Sequence, residues 1–266
     1  MKKDGVIYLS FPAALMFGFW KSEEEKRKCL DNVLDICAYD VWCKKGRGGR
    51  VDKSQFRKLI EKELEITVHY DYYEDKDIFY RRTQKLREIY DPENYIGLYW
   101  CISIPMLINF RNNPKTAEER AGLLAYLAIR SIIGKRPFAK TNRFFLTSRM
   151  ACNCMNENGD DLPEEIRKYR KRYHFDKLLR LLLTAYNVAI YSDKSIRGFY
   201  VSLKKDTNGK PDILWLIQQV SIHRQEKDST DPLRDAIKKA KNELQKANDT
   251  YTAPNEQRER HLKDST

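Results

Sequence analysis

The stretch "DLPEEIRKYRKRYHFDKLLRLLLTAYNVAIYSDKSIRGFYVSLK" covers residues 161–204, and its pattern decides the fold expected for the second half of the chain. Seven Lys or Arg residues lie between Arg167 and Arg180, ahead of a leucine run and an alternating aromatic segment. Two interpretations of these cations are open. They form a solvated helix face, which is the ordinary fate of a charge run, or they face the phosphates of a nucleic acid.

The leucine run has the periodicity of an amphipathic helix. Apolar residues recur at steps of three and four and share one helix face: Phe175, Leu178, Leu179, Leu182, Leu183 and Tyr186. On the same helix His174, Lys177, Arg180 and Thr184 point the other way. Before this run the phase changes, because Ile166, Tyr169 and Tyr173 define a different apolar arc. The pattern predicts two helical segments with a bend near residues 172–174.

After Tyr186 the periodicity changes to two, which is typical of strands. "VAIYS" (188–192) and "IRGFYVSL" (196–203) flank a polar "DKS" tip, and Phe199, Val201 and Leu203 face one way. The sequence therefore predicts a hairpin. Upstream it predicts a helix over 116–133, a short helix over 141–151 and a polar insert, "CNCMNENGDDLPEE" (152–165).

This order of elements over residues 99–204 resembles a winged helix-turn-helix. The resemblance implies that the basic helix, about 174–186, enters the major groove of DNA and that the hairpin is a wing. It assigns His174, Lys177 and Arg180 to the recognition face, with Lys177 and Arg180 reading bases. The further DNA-binding residues expected are Lys140, Arg143, Arg149, Arg167, Lys168, Arg170, Lys171 and Arg172, with Lys194 and Arg197 on the wing. The insert departs from a compact helix-turn-helix and brings Asp160, Asp161, Glu164 and Glu165 nearby.

Two stretches indicate an internal duplication: "YLSFPAALMFGF" (8–19) and "YWCISIPMLINF" (99–110). Each predicts a strand and a helical turn opened by proline. Ser22 with Glu25, and Thr116 with Glu119, then predict capping boxes at the start of two amphipathic helices. Basic breaks containing glycine follow at "KKGRGGR" (44–50) and "GKRPFAK" (134–140). Chance similarity between two amphipathic patterns is the alternative explanation.

With the duplication included, the arrangement resembles the tandem winged-helix replication initiators of plasmids and related mobile elements. The expected fold class is mainly α with small β-hairpins, in two tandem winged-helix-like units plus C-terminal helices. Residues 1–98 form the first unit, residues 99–204 the second, basic unit, and residues 205–266 a linker, two helices and a polar tail. In the first unit, Arg81, Arg82 and Lys85 are secondary DNA-binding candidates, and contact with protein is the main role expected.

The distribution of charge supports this assignment. Residues 115–204 hold 18 basic and 9 acidic side chains, so they carry nine of the twelve excess positive charges of the chain. A basic excess confined to one segment is what a polyanion-binding module needs. The expected function is sequence-specific binding of double-stranded DNA, as an initiator. A transcriptional repressor, an RNA-binding module and a protein adaptor stay open as alternatives.

Patterns for other chemistry are weak. "HYDYYEDKD" (69–77) gathers His, Tyr and carboxylates and is the one stretch in which we can place a metal-dependent phosphoryl-transfer site. The six cysteines lack zinc-site spacing, and "KKGRGGR" is not a phosphate-binding loop motif. We therefore expect no enzyme activity, metal or cofactor. The remaining expectations are a cytoplasmic protein without a membrane segment and self-association through the first unit or the C-terminal helices.

Overall fold

The computed structural model describes residues 2–3, 6–45, 61–62, 81, 83–86, 88, 97–152, 162–192, 198–226, 236–237 and 239–246. Within these ranges the chain is mainly helical, with small antiparallel sheets. It divides into two compact units, Met1–Leu216 and Ile217–Thr266. The first unit contains all of the strands and helices that receive labels below.

The N-terminal part of the first unit begins with strands β1 (Lys2–Lys3) and β2 (Val6–Pro12). A 3₁₀ turn (Ala13–Met16) and helix α1 (Glu23–Lys45) follow. This confirms the strand and short helix expected from the N-terminal sequence. Residues 61–62, 81, 83–86 and 88 are helical as well.

The second part repeats this beginning and then extends it. Strand β3 (Tyr99–Ser103), helix α2 (Ile104–Asn112) and helix α3 (Ala117–Ile133) come first. Strand β4 (Phe138–Thr141), helix α4 (Arg143–Met150) and the short helix α5 (Glu164–Arg167) come next. A 3₁₀ turn (Lys168–Arg170), helix α6 (Arg172–Ala185) and strands β5 (Ala189–Tyr191) and β6 (Phe199–Ser202) complete it.

The helix starts follow the predicted caps. The Thr116 hydroxyl accepts a hydrogen bond from the Glu119 amide at 3.2 Å, and the Glu119 carboxylate accepts one from the Thr116 amide at 2.8 Å. This reciprocal pair satisfies two amides that the helix itself leaves without partners. At α1 the Ser22 hydroxyl accepts from the Glu25 amide at 3.1 Å. Both predicted cap positions are therefore confirmed.

The first sheet joins the two similar halves. Strand β2 lies between β1 and β3, and both neighbours are antiparallel to it. In the β2–β3 ladder Ser10 faces Cys101, and Phe11 faces Trp100. Leu9 faces Ile102, and these two are equivalent positions in the predicted duplication, because each directly precedes a Ser-x-Pro segment. Equivalent residues that face each other in an antiparallel pair relate the two strands by a local two-fold axis.

One hydrophobic core includes side chains from both halves, from Leu9 on β2 to Val201 on β6. Strands from either side of residue 98 therefore share a sheet and a core. The division at residue 98 into two units stays a prediction. The same holds for the boundary at residue 204, whereas the compact unit continues to Leu216.

Helix α3 is the centre of the second half and packs against α4, α6 and β3. Its buried positions include Leu123, Leu124 and Leu127, as the periodicity predicts. Gly122 lies where α6 comes closest, because a Cβ at this position would stand 2.5 Å from Leu181 Cδ2. A methyl group at this position would displace the Leu181 side chain.

The second sheet has the order β4-β6-β5, with both contacts antiparallel. The hairpin prediction is confirmed by β5 and β6. The prediction that "GKRPFAK" is only a break is wrong, because Phe138–Thr141 form a strand, in which Ala139 pairs with Val201. Four residues whose partner strand lies about 60 positions later carry too little local periodicity to be recognised.

The alternation predicted for the hairpin is also wrong on one face. Tyr200 and Ser202 are buried like their neighbours, because β6 is the central strand. The Ser202 hydroxyl donates to the Pro137 carbonyl at 2.9 Å, and the Tyr200 ring lies 6.0 Å from that of Phe138. Both faces of β6 are therefore covered by protein, whereas an antiparallel strand with this alternation commonly has one face in water.

The segment predicted as a linker, "KKDTNGKPD" (204–212), is an ordered turn. The Asp206 carboxylate accepts from the amides of Asn208 and Lys210, both at 2.8 Å. Helical residues follow at 213–226, and more are described at 236–237 and 239–246. These segments confirm the two helices predicted near the C-terminus. Of the helices that the structure describes, none is long and apolar enough to cross a membrane.

Candidate nucleic-acid interface

Helix α6 is placed by the residues that the leucine pattern indicated. Phe175, Leu178 and Leu182 are buried. The break before the helix lies at Lys171, which has extended backbone angles, one residue ahead of the predicted bend. The short helix before it buries Ile166 and Tyr169, as the different phase predicted. The prediction that Tyr173 belongs to the same apolar arc is wrong, since Tyr173 lies on the exposed side of α6.

The arc of α6 opposite its buried residues is polar and cationic. It consists of Tyr173, Asp176, Lys177, Arg180 and Thr184, all of which are exposed. Lys171 and Arg172 extend it at the start of the helix. A hydrogen bond between Lys177 and Tyr173 raises the pKa of Lys177. His174, the third predicted recognition residue, is half-buried beside this arc.

Two predicted phosphate-binding arginines make contacts inside the protein. Arg170 donates from Nε to the Thr147 hydroxyl and from its terminal nitrogen to the Ser148 hydroxyl, both at 3.3 Å. These bonds connect the 3₁₀ turn before α6 to α4. Arg167 is exposed and donates to the Leu162 carbonyl at 2.9 Å. Arg170 thus holds the turn that precedes α6 against α4.

The other predicted cations on α4, β4 and the turn lie against aromatic rings. The Arg143 guanidinium lies 5.5 Å from the centre of the Phe144 ring, and that of Arg149 lies 5.0 Å from the Phe145 ring. Lys140 is exposed, with its Nζ 5.9 Å from the Tyr200 ring. Lys168 Nζ is 5.2 Å from the Tyr169 ring.

Several predicted positions lie outside the described residues. These are the wing cations Lys194 and Arg197, the insert carboxylates Asp160 and Asp161, the first-unit candidate Arg82 and the whole of "HYDYYEDKD". Glu164 and Glu165 are described and are exposed on α5. Within residues 1–98, Arg81 and Lys85 are exposed on a helical segment.

Three acidic side chains near the basic helix, Asp176, Glu118 and Glu119, were not identified by the sequence analysis. Asp176 lies within the exposed arc, and its carboxylate is 3.8 Å from Arg172 Nε. The start of α3 brings Glu118 and Glu119 toward the other flank of α6. The spacing of Asp176 four residues after Arg172 is a visible signal for the first contact. The approach of α3 depends on tertiary packing and has no such signal.

A cavity of about 350 Å³ lies between the start of α3 and α6. Its lining includes Glu118, Tyr169, His174, Lys177 and Arg180. Burial raises the pKa of Tyr169 to about 12, and the nearby Glu118 carboxylate adds to the shift. This cavity combines both signs of charge with an apolar floor. The outer arc of α6 beside it is mainly cationic.

The described residues include no cluster of three or more His, Cys, Asp or Glu side chains placed to hold a metal ion. The expectation that the protein needs no metal or cofactor stays a prediction. Cys29 and Cys37 are buried free thiols. Comparison of the chain with protein-family models, with curated proteins and with solved structures gives no match.

Proposed function

We propose that this chain is a sequence-specific duplex-DNA-binding protein with a winged-helix unit at residues 99–204, and that it acts as a replication initiator of a plasmid or mobile element. The observation that carries the proposal is the exposed arc of α6. Lys177 and Arg180 lie on the side of the helix opposite its buried residues, and Lys171 and Arg172 are exposed at its start. Arg and Lys in such positions contact phosphates and guanine edges in the major groove.

The order of elements around α6 supports the proposal. Helix α3, strand β4, helix α4, helix α6 and the hairpin β5–β6 come in this order, with the short helix α5 and a 3₁₀ turn between α4 and α6, and β4 completes the sheet beside the hairpin. This is the order expected of a winged helix, in which the last helix is held across the two before it. The hydrogen bonds from Arg170 to α4 hold the turn before α6 in place, and α6 itself packs against α3.

The initiator role rests on the duplicated halves. Strands β2 and β3 pair around equivalent residues, and each is followed by a proline-containing turn and a capped helix. Two similar units in one chain suit a DNA target made of repeated sites. A repressor with the same fold is the rival interpretation, and an RNA-binding module or protein adaptor is a second.

Fluorescence anisotropy on mixed-sequence duplex DNA across a salt series tests duplex binding. We expect the parent protein to bind with steep salt dependence, and the double variant Lys177→Ala, Arg180→Ala to bind about tenfold more weakly or worse with a shallower salt slope. The matched control is Lys21→Ala, Arg27→Ala, which removes the same charge from exposed positions of the first half. No binding at low salt by folded parent protein would contradict the proposal and favour an adaptor.

Selection of bound fragments from a random duplex pool separates the two DNA-binding roles. An initiator that binds as several copies side by side is expected to enrich fragments that carry several copies of one site in the same direction. A dimeric repressor is expected to enrich one inverted repeat, because the symmetry of the site mirrors that of the dimer.

A further inference from the structure

We infer that the surface around the start of α4 and α6 binds unpaired nucleotides of a single-stranded nucleic acid. The surface is an aromatic–cationic strip made of Arg143, Phe144, Arg170, Tyr173 and Lys177. It goes beyond the proposed duplex binding, because its aromatic rings have no role in a duplex whose bases are already stacked. The two proposals can therefore fail separately.

The strip contains two large aromatic side chains that the fold leaves in solvent. Tyr173 is 65% exposed and Phe144 is 46% exposed. Neither ring is needed to cover the core, since Phe175, Leu178 and Leu146 do that from the same helices. Exposure of a tyrosine and a phenylalanine costs free energy that the protein recovers if the rings contact a ligand.

Cations accompany both rings. Lys177 Nζ lies 4.7 Å from the centre of the Tyr173 ring, and the guanidinium groups of Arg143 and Arg170 lie 5.5 and 5.0 Å from that of Phe144. Aromatic rings and guanidinium planes both stack on exposed bases, while adjacent cations follow the phosphates. Aromatic rings beside cations are therefore suited to binding the bases and the phosphates of a single strand.

The two rings are linked through residues of the turn before α6. Arg170 touches the Phe144 ring, and the next residue back, Tyr169, packs edge-on against His174 at 6.3 Å. His174 in turn packs edge-on against Tyr173 at 5.3 Å. Tyr169 is buried, so it anchors His174, and His174 supports Tyr173 from the protein side. The Tyr173 end of the strip is therefore supported by a buried residue.

Anisotropy with labelled oligodeoxyuridine and oligouridine of about 15 nucleotides tests the inference. We expect the parent to bind at least one of them, and the double variant Phe144→Leu, Tyr173→Leu to bind about tenfold more weakly with an unchanged salt slope. The slope is preserved because leucine removes stacking and leaves every phosphate-binding cation. The two oligonucleotides differ in the 2′-hydroxyl, so their ratio identifies DNA or RNA as the preferred source.

Two matched variants make the result specific. Tyr173→Phe retains the ring and is expected to bind like the parent. Phe17→Leu removes an aromatic that is 60% exposed at the turn before α1, away from the strip, and is expected to change nothing. Circular dichroism and thermal melting confirm folding of each variant.

The inference is overturned if folded parent protein binds neither oligonucleotide at low salt, or if the leucine variant binds as tightly as the parent. Duplex binding without single-strand binding would contradict this inference but not the proposed function. Single-strand binding without duplex binding would support this inference and contradict the proposed function.

Discussion

The two halves of the first compact unit begin alike and use their charged residues differently. In residues 6–45 and in residues 99–133 a strand, a turn and a capped helix follow one another, and the strands pair. Lys26 and Arg120 occupy equivalent positions, four residues after their caps, and both are buried. Lys26 and Arg120 contact the opposite half. In contrast, Lys171, Arg172, Lys177 and Arg180 of the second half are exposed at α6.

The contacts of Lys26 and Arg120 are reciprocal. Lys26 Nζ donates to the Asn113 carbonyl, just before α3, at 2.7 Å. Arg120 donates to the Trp20 carbonyl, just before α1, at 3.5 Å. Glu23 joins them, since it accepts from Lys26 at 2.5 Å and from Arg120 at 2.8 Å. Each half thus binds the backbone at the start of the other half's helix, which is what a local two-fold relation produces.

The largest effect is expected from the paired strands, where Phe11 faces Trp100 and both are about 1% exposed. Phe11→Ala and Trp100→Ala are each expected to lower the free energy of unfolding by about 3–5 kcal/mol, because each leaves a cavity in a shared core. Urea unfolding followed by circular dichroism measures this. Two separate transitions, one of them unaffected by the substitution, would show that the halves are independent domains.

The next effect tests the asymmetry between Lys26 and Arg120. Arg120 donates to three acceptors, the Glu23 carboxylate and the carbonyls of Lys115 and Trp20, whereas Lys26 donates to two. We expect Arg120→Met to cost about 2–3 kcal/mol and Lys26→Met about 1 kcal/mol, since methionine fills the space but leaves the acceptors unpaired. The same urea titrations measure both. A larger loss for Lys26→Met would reverse this ranking.

A third prediction compares the DNA-binding candidates of the halves. Arg81→Ala, Lys85→Ala in the first half is expected to weaken duplex binding by less than about threefold, against about tenfold for Lys177→Ala, Arg180→Ala. The first-half pair lies on a helix whose sequence mixes both signs of charge. Parallel anisotropy titrations at one salt concentration compare the two variants. Equal losses of duplex affinity would indicate that the first half contributes as much to DNA binding as the second half.

The smallest effect is a dependence of stability on pH. Desolvation acts to raise the pKa of Glu23, but hydrogen bonds from Lys26, the Lys115 amide and Arg120 outweigh it and hold the pKa below its ordinary value of 4.5. The carboxylate therefore stabilises the fold above pH 4.5, and this contribution is lost as the pH falls below that value. Glu23 is partly exposed, so we expect less than about 1 kcal/mol.

The measurement is the difference in urea midpoint between pH 7 and pH 4 for the parent and for Glu23→Gln. The parent is expected to lose more stability on acidification than the variant, because glutamine does not titrate. An identical loss in both proteins would mean that other carboxylates account for the whole dependence.

Local patterns predicted the elements whose signals lie within a few residues. The caps at Ser22 and Thr116, the amphipathic helix α6 and the hairpin all follow from spacing within one helical turn or one strand pair. The burial of Lys26 also had a local signal, since Lys26 lies three and four residues before Cys29 and Leu30 on the apolar stripe of α1. A charge on a buried stripe indicates a buried partner.

The exposed arc of α6 was predictable in part. Lys177 and Arg180 were placed correctly opposite the leucines, because helical geometry alone decides which side chains share a face. The inward role of Arg170 and the approach of Glu118 were not predictable, since both depend on how α4 and α3 pack around α6. The exposure of Tyr173 depends on the break at Lys171, which changes the phase of the helix.

The amino-acid sequence by itself determined where helices and strands begin, which side of α6 carries charge and that two segments of the chain are alike. These properties depend on side chains three or four positions apart, so a local reading is enough. Only the tertiary structure decided that β4 joins β6, that Lys26 and Arg120 bind each other's helix starts, and that Arg170 lies against the Phe144 ring. Those relations connect residues tens of positions apart, and they arise when a shared core brings distant segments together.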